Sequence, residues 1–363
     1  MVKFGTATKR RTVRSVAVGK AGRSGSARIG TRTRRPFVID MHAHVPLPEV
    51  REFLKGRIVD SSAPPGVASK EAAESRAWAQ TNLRKMTDFD ERLRDMNRLG
   101  IDLQVLTSSI LYACTYWADA ETGLKWDRWI NERIAEMVAR APDRFVGLGS
   151  VPLQAPTLAA KELERCFGDL GLRGVQISTD AHSMELGDPK LRPFWAAAEK
   201  LGAAVFVHPA GITAERYRKW LLWNSIGQSV EESMAMASLF YEGVLDAYPR
   251  LKICIAHGGG FLPFYAGRVD RNYYERSFTR VNMSKSPSEY LRQNFWYDTC
   301  LYNDDMMNFL VQKVGPSRLV LGSDYPVGER DPVGFVNRSR GLSASDKRAI
   351  LGGNAAALLG LSI

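Results

Sequence analysis

The segment FVIDMHAH (residues 37–44) is the first of eight short, apolar, β-rich runs that decide the fold of this 363-residue chain. The other seven runs lie at residues 102–110, 144–153, 171–179, 203–210, 251–259, 294–301 and 318–326. Several lack polar alternation, which is typical of parallel strands covered on both faces. Helical patterns fill the intervals, so strand and helix alternate along the chain. This order predicts a (β/α)8 TIM barrel over residues 37–363, with an open doubly wound sheet as the alternative.

Two connections are longer than a plain barrel needs. Residues 45–87 follow the first predicted strand, and residues 211–228 follow the fifth. Long insertions at these positions of a barrel usually form lids and pocket walls over the carboxyl ends of the strands. We therefore predict a single domain with long βα insertions after strands 1 and 5. Nucleotide binding has no support, because neither a G-x-G-x-x-G motif after the first strand nor a P-loop is present.

The net charge of +11 is concentrated in residues 1–36. This tail holds 11 of the 50 Lys and Arg residues and none of the 39 Asp and Glu residues, so the rest of the chain is neutral. Its composition, rich in Gly, Ser, Thr and Arg, predicts disorder. The tail resembles an organelle transit peptide, and an arm that contacts a neighbouring subunit is the alternative. Because the body is neutral, nucleic-acid binding is disfavoured.

The remaining composition predicts a cytoplasmic protein. No run of about 18 apolar residues predicts a transmembrane helix, and the N-terminus has no apolar segment typical of a secretory signal. Four cysteines are spread widely without a C-x-x-C motif. They are typical of the reduced thiols of an intracellular protein.

Four of the five histidines lie at the carboxyl ends of predicted strands. His42 and His44 end the first strand, and their i, i+2 spacing points both side chains to the same side. His208 ends the fifth strand and His257 ends the sixth, while Asp324 ends the eighth. Each residue alone is a weak signal, but the active sites of TIM barrels lie at this rim. The combination predicts a metal site.

The residue types suggest separate roles. His42, His44, His208 and Asp324 supply three imidazoles and one carboxylate, a donor set that suits one divalent zinc ion, with manganese or iron(II) as alternatives. His257 is then left to act as general base and later as general acid, because its ordinary pKa is near neutrality. Asp324 has a second candidate role in proton transfer.

Five further residues are candidates for substrate binding. Arg268 closes the segment HGGGFLPFYAGR and is either a surface residue or an anion clamp. Arg84 and Arg76, in the first insertion, are further candidates, because arginine binds carboxylates through two parallel hydrogen bonds. Trp220 and Trp223, in the second insertion, are interpreted as pocket wall or as ordinary lid packing.

The segments IDMHAH, VHP, HGGG…PF…GRVD, PSEY and LGSDYP, in this order, resemble the amidohydrolase superfamily. The closest resemblance is to its decarboxylase branch, typified by α-amino-β-carboxymuconate-ε-semialdehyde decarboxylase, and it extends from about Phe37 to the C-terminus. The resemblance implies a (β/α)8 barrel with one zinc on the four positions given above. It also implies that His257 activates a metal-bound water, and that the chain is a homodimer in which Arg268 reaches the neighbouring active site.

Related branches often carry Glu-x-His on the first strand and manganese, so His-x-His in this chain favours zinc. We therefore predict a metal-dependent, non-oxidative decarboxylase that acts on a small unsaturated or aromatic carboxylic acid without an organic cofactor. The alternative is a metal-dependent hydrolase of an amide, lactone or ring C–N bond. Both reactions would use the same five residues, so the motifs do not separate them.

Overall fold

The structure, a computed structural model, describes residues 35–47, 69–110, 113–212 and 214–363. All eight predicted strands are present, although each is shorter than its apolar run. They are β1 Ile39–Val45, β2 Leu103–Ser108, β3 Phe145–Gly147, β4 Gly174–Ile177, β5 Ala204–Val207, β6 Lys252–Ile255, β7 Phe295–Asp298 and β8 Leu319–Val320. Except for the first, the runs extend past the strands because their last residues enter the loops that carry polar side chains.

The eight strands form a closed ring of parallel neighbours. Strands β1 to β3 pair in one sheet, and β4 to β8 pair in a second. A parallel bridge between Gly149 and Val175 joins β3 to β4, and another between Ala43 and Tyr325 joins β1 to the segment after β8. At these seams Gly149 N donates to the Gly174 carbonyl at 2.9 Å, and Met41 and His44 likewise bond the segment after β8. The predicted (β/α)8 barrel is therefore confirmed.

Helices follow the strands along the chain, as the alternation predicts. They are α1 Ser69–Thr87, α2 Phe89–Leu99, α3 Ala120–Arg140, α4 Pro156–Gly168, α5 Arg192–Leu201, α6 Gln228–Tyr241, α7 Val244–Ala247, α8 Leu262–Glu275, α9 Pro287–Gln293, α10 Asp304–Val314, α11 Pro332–Arg338, α12 Ala344–Arg348 and α13 Asn354–Leu359. Helix α2 shows how local sequence sets these bounds. The Asp88 side chain accepts from Glu91 N at 2.7 Å at its start, and Gly100 ends it with a left-handed φ of 72°.

Apolar side chains fill the barrel interior. Met41, Val105, Leu148 and Phe206 belong to one buried cluster, and the C-terminal helix α13 adds Leu359 to it. A larger cluster packs between the strands and the surrounding helices. The interior is therefore a packed core, and polar chemistry is left to the ends of the strands.

Strand β1 contains an irregularity that aims its side chains. Relative to its pairing with β2, it carries one extra residue between Asp40 and Ala43. Met41 packs in the barrel interior, and yet the next residue, His42, also faces inward, with its ring centroid 4.9 Å from that of Phe206. Successive side chains of a regular strand point to opposite faces. The bulge therefore turns the histidine pair toward the interior of the barrel.

The two insertions are described in part. Residues 48–68 of the first insertion lie outside the described residues, and residues 69–87 form α1. The second insertion forms short 3-10 turns at Glu215–Tyr217 and Lys219–Leu221 and a single π-helical turn at Trp223–Gly227. The tail predicted to be disordered lies outside the described residues apart from its last two positions. Within the described ranges, no helix has the length and apolarity that a membrane span requires.

Candidate metal centre

Four side chains converge at the carboxyl rim of the barrel: His42, His44, His208 and Asp324. One ligand atom from each lies within 4.8 Å of all the others, and the four residues are buried. The Nε2 atoms of His42 and His44 are 3.1 Å apart, and Asp324 Oδ1 lies 3.3 Å from the first and 3.0 Å from the second. The structure thus brings together the four side chains that the sequence placed at strand ends.

Hydrogen bonds at Nδ1 orient the imidazole rings. His42 Nδ1 lies 2.6 Å from Asp298 Oδ2, and His208 Nδ1 lies 3.0 Å from the Pro209 carbonyl oxygen. A carbonyl and an ionised carboxylate only accept hydrogen bonds. Both Nδ1 atoms therefore carry the proton, and both Nε2 atoms present a lone pair toward the cluster.

The third imidazole follows the same rule. His44 Nδ1 lies 3.1 Å from Thr107 Oγ1, while that hydroxyl donates to the Ala43 carbonyl at 3.2 Å. Because the single hydroxyl proton is committed to the carbonyl, Thr107 accepts from Nδ1–H of His44. Its Nε2 is therefore also unprotonated.

This arrangement fits a divalent cation. With both protons on Nδ1, the Nε2 atoms of His42 and His44 are two acceptors that face each other at 3.1 Å, and buried His208 Nε2 has no hydrogen-bond partner among the described residues. Buried acceptors without partners are costly, and a cation bound by three imidazoles and a carboxylate would satisfy all of them. Burial lowers the pKa of His208 well below its ordinary value and also lowers the pKa of His44, which favours the neutral, ligating form.

The carboxylate is suited to the same task. Burial acts to raise the pKa of Asp324, but the positive charge of the surrounding histidines in their protonated form, His42 first among them, outweighs burial and lowers it. A bound cation would supply positive charge at the same place. The carboxylate is therefore ionised and available as a ligand. Asp324 adopts a left-handed φ of 54°, a conformation that is uncommon for non-glycine residues and is often found at functional sites.

His257 lies beside this cluster at the start of a strained turn after β6. Its φ is 49°, and all three residues of Gly258–Gly260 also have positive φ. This turn places His257 Nε2 4.0 Å from Asp324 Oδ2. A Cβ at position 260 would lie 2.8 Å from Glu232 Oε2, so the close approach requires glycine there.

Glu232 holds the other side of the His257 ring. Its Oε1 lies 2.6 Å from Nδ1, and the carboxylate is fully buried on α6. Burial lowers the pKa of His257, but the charge of Glu232 and its hydrogen bond outweigh burial and raise the pKa to about 9. A cation on the neighbouring ligands would oppose this effect and move the pKa toward neutrality. His257 thus presents a titratable Nε2 to the site.

No contact given for the described residues joins the candidate substrate residues to this cluster. Arg268 is exposed on α8, and Trp220 is 79% exposed. Trp223 packs its ring against Gly211, just after β5. Arg84 is exposed on α1 and pairs with Glu91 at 3.2 Å. Arg76 also belongs to α1, and its side chain is outside the described part, so the substrate roles of all five residues stay predictions.

Sequence reasoning missed three residues of the site. Asp298 follows the same rule as Asp324, because it is a carboxylate at the carboxyl end of a strand, and that rule would have found it. Thr107 and Glu232 carry no comparable signal. A threonine near the end of β2 is unremarkable in sequence, and a glutamate on α6 approaches the site only after folding.

The family model for amidohydrolases matches residues 39–361. The chain belongs to the amidohydrolase family. Among its relatives, 2-amino-3-carboxymuconate-6-semialdehyde decarboxylase from Dictyostelium discoideum is 37% identical over 279 residues, which cover 76% of this chain and 77% of that protein. The predicted family is therefore confirmed, and the relative belongs to the branch that the motifs resemble.

Solved structures lead to the same family and fold. The 5-carboxyvanillate decarboxylase from Sphingomonas paucimobilis has a TM-score of 0.79 at 27% identity, covering 90% of this chain and 100% of that chain. A dihydroxybenzoic acid decarboxylase from Polaromonas sp. JS666, with bound manganese and the inhibitor 2-nitroresorcinol, has a TM-score of 0.77 at 26% identity. It covers 90% of this chain and 97% of that chain.

Proposed function

We propose that this chain is a metal-dependent, non-oxidative decarboxylase that acts on a small unsaturated or aromatic carboxylic acid. The observation that carries the proposal is the convergence of three buried imidazoles and the Asp324 carboxylate, with His257 4.0 Å from that carboxylate. The relatives named above are decarboxylases of acids of this class, which supports the choice of reaction and substrate.

The residues of the chain would perform a proton transfer around a carbon–carbon bond cleavage. A bound divalent cation would supply positive charge that stabilises the electron pair left when CO2 departs. His257, held through Nδ1 by Glu232, would donate the Nε2 proton to the carbon that loses its carboxylate. The carbon–carbon bond breaks, CO2 leaves, and the proton takes its place. Asp324 is the second candidate for moving a proton.

We propose zinc as the resident cation and manganese as the alternative. Three neutral imidazoles and one carboxylate suit zinc, which favours nitrogen donors. The Polaromonas structure contains bound manganese, so manganese is the alternative to zinc. Elemental analysis of protein purified without added metal would distinguish the two.

We further propose a homodimer in which Arg268 enters the neighbouring active site. Phe261 and Tyr265, beside and on α8, and Met234 on α6 are exposed apolar side chains. The two elements are adjacent, because Phe261 N donates to Ser233 Oγ at 3.1 Å. Exposed apolar surfaces of this kind mark protein interfaces, and Arg268 is exposed on the same helix.

We assign the enzyme to the cytoplasm, because its four cysteines are free thiols.

The rival function is metal-dependent hydrolysis, which would use the same side chains. A panel of unsaturated and aromatic carboxylic acids, amides and lactones separates the two reactions. We expect CO2 release from at least one acid and no release of amine or new acid from the amides and lactones. Hydrolysis of an amide or lactone without CO2 release from any acid would overturn the proposal.

A further inference from the structure

Asp298, the last residue of β7, contacts three parts of the site at once. It is fully buried. Its Oδ2 lies 2.6 Å from His42 Nδ1, and its Oδ1 accepts from Gly258 N at 3.2 Å and from Cys300 N at 3.1 Å. These contacts join a candidate metal ligand, the turn that begins with His257, and the loop after β7.

The polarity of these contacts requires a carboxylate. Gly258 and Cys300 each present a backbone N–H, and His42 presents Nδ1–H. All three groups are donors, and an ionised carboxylate accepts at both oxygens. An asparagine would place an NH2 group against one set of donors, whichever way its amide is turned. Asparagine has nearly the shape of aspartate, but it would not preserve these three hydrogen bonds.

We propose that Asp298 is a positioning residue that sets the affinity of the site for its divalent cation and ties His42 to the turn carrying His257. The proposal rests on the proposed metal centre. Asp298 holds His42 in the tautomer whose Nε2 lone pair faces the other ligands, and its bond to Gly258 holds the backbone next to the acid/base residue. Neither contact involves the substrate.

The hydrogen bonds that hold the three imidazoles at Nδ1 differ in strength, and this difference provides an internal control. Asp298 bonds His42 through a negative charge, whereas Thr107 bonds His44 through a neutral hydroxyl and Pro209 bonds His208 through a carbonyl. Hydrogen bonds to ionised groups are roughly twice as strong as neutral ones. Loss of the Asp298 anchor should therefore weaken cation binding more than loss of the Thr107 anchor.

The test compares Asp298→Asn with Thr107→Val, which keeps the shape of the side chain and removes the hydroxyl. Zinc affinity is measured on full-length protein by competition with a chromophoric chelator, without substrate. Loss of a partner of this kind typically costs about 10–100-fold in metal affinity. We expect a loss in that range for Asp298→Asn and a smaller loss for Thr107→Val. Zinc affinity of Asp298→Asn within about twofold of the wild type would overturn the proposal, as would an equal loss in both variants.

A second variant keeps the test decisive if Asp298→Asn does not fold. Asp298→Glu retains the charge but displaces it by one methylene, so we expect a folded protein with reduced zinc affinity. Unchanged affinity would show that the position of the carboxylate does not matter and would overturn the proposal. Because zinc binding is measured without turnover, these outcomes are independent of whether the wild type releases CO2.

Discussion

The candidate histidine ligands are suited to a cation because the groups that hydrogen-bond to Nδ1 decide which ring nitrogen carries the proton. Asp298, Thr107 and the Pro209 carbonyl each accept a hydrogen bond from the Nδ1–H of one imidazole. Glu232 does the same for His257, whose Nε2 then faces Asp324. The difference between a ligand and an acid/base histidine therefore lies in position. Three Nε2 atoms converge on the candidate metal site, and the Nε2 of His257 lies beside that site.

The proposed acid/base role predicts a specific phenotype for His257→Ala. Proton transfer by a positioned side chain contributes about 10²–10⁴-fold to rate. We expect kcat for CO2 release to fall by that factor or more, while the metal content per chain stays at the wild-type level, because the four ligands are intact. The measurement is steady-state kinetics together with elemental analysis.

His182→Ala is the matched control for this variant. His182 is exposed on the turn of the short hairpin formed by Asp180–Ala181 and Met184–Glu185. We expect its removal to leave kcat unchanged. Near-normal turnover of His257→Ala would show that another group transfers the proton.

Sequence alone reached most of the candidate site but not its supporting contacts. His208 and Asp324 were predictable because a strand-ending polar residue in a barrel lies at the rim where the strands converge. Glu232 was not predictable, since its place depends on how α6 packs against the turn after β6. The partners of a ligand are set by three-dimensional packing, which leaves no fixed spacing in the sequence.

Strand β1 and helix α2 together hold the histidine pair in place. Arg92 on α2 is fully buried and donates to the His44 carbonyl at 2.6 Å and to Gln104 Oε1 at 2.8 Å. Its guanidinium also lies over the Tyr325 ring, 4.8 Å from the centroid. Burial lowers the pKa of Arg92 to about 10, so the side chain is still charged at neutral pH. One side chain thus bridges β1, β2 and the segment after β8.

Arg92→Met should destabilise the barrel strongly. The substitution leaves buried acceptors of His44 and Gln104 without donors, at a cost of about 2–5 kcal/mol in the free energy of unfolding. Arg94→Met, at an exposed position of the same helix, is the control and should change that free energy by no more than about 0.5 kcal/mol. Urea denaturation of both variants measures the difference, and equal values would contradict the role assigned to Arg92.

The order of elements was predictable, but the bulge in β1 was not. Apolar runs and the helical patterns between them indicate the eight strands, because both faces of each strand are covered. The i, i+2 spacing predicts that His42 and His44 share a side, but not which side. The extra residue between Asp40 and Ala43 decides that point, and no glycine or proline marks it in the sequence.

At the scale of the whole molecule, the proposed dimer makes each active site depend on both subunits. Arg268→Ala and His257→Ala would each be inactive as homodimers. A heterodimer of the two variants would contain one complete site, with His257 from one subunit and Arg268 from the other. We therefore expect co-expression to restore CO2 release that neither variant shows alone. Two inactive variants that stay inactive when co-expressed and shown to associate would contradict the sharing of sites.

The disorder of the basic tail, residues 1–36, stays a prediction. Its charge explains the basic character of the whole chain, while the barrel domain is neutral. The four candidate ligands and His257 all lie within residues 39–361, which the amidohydrolase family model matches.

We propose that a single cation bound by these four ligands drives decarboxylation. The most direct test is to strip the purified protein of metal, add back zinc or manganese stepwise, and record the rate of CO2 release from an acid that the loaded enzyme decarboxylates. We predict no CO2 release from the stripped protein, and a rate that rises until one cation is bound per chain and then stays constant. CO2 release that persists in the stripped protein and does not respond to added metal would contradict the claim.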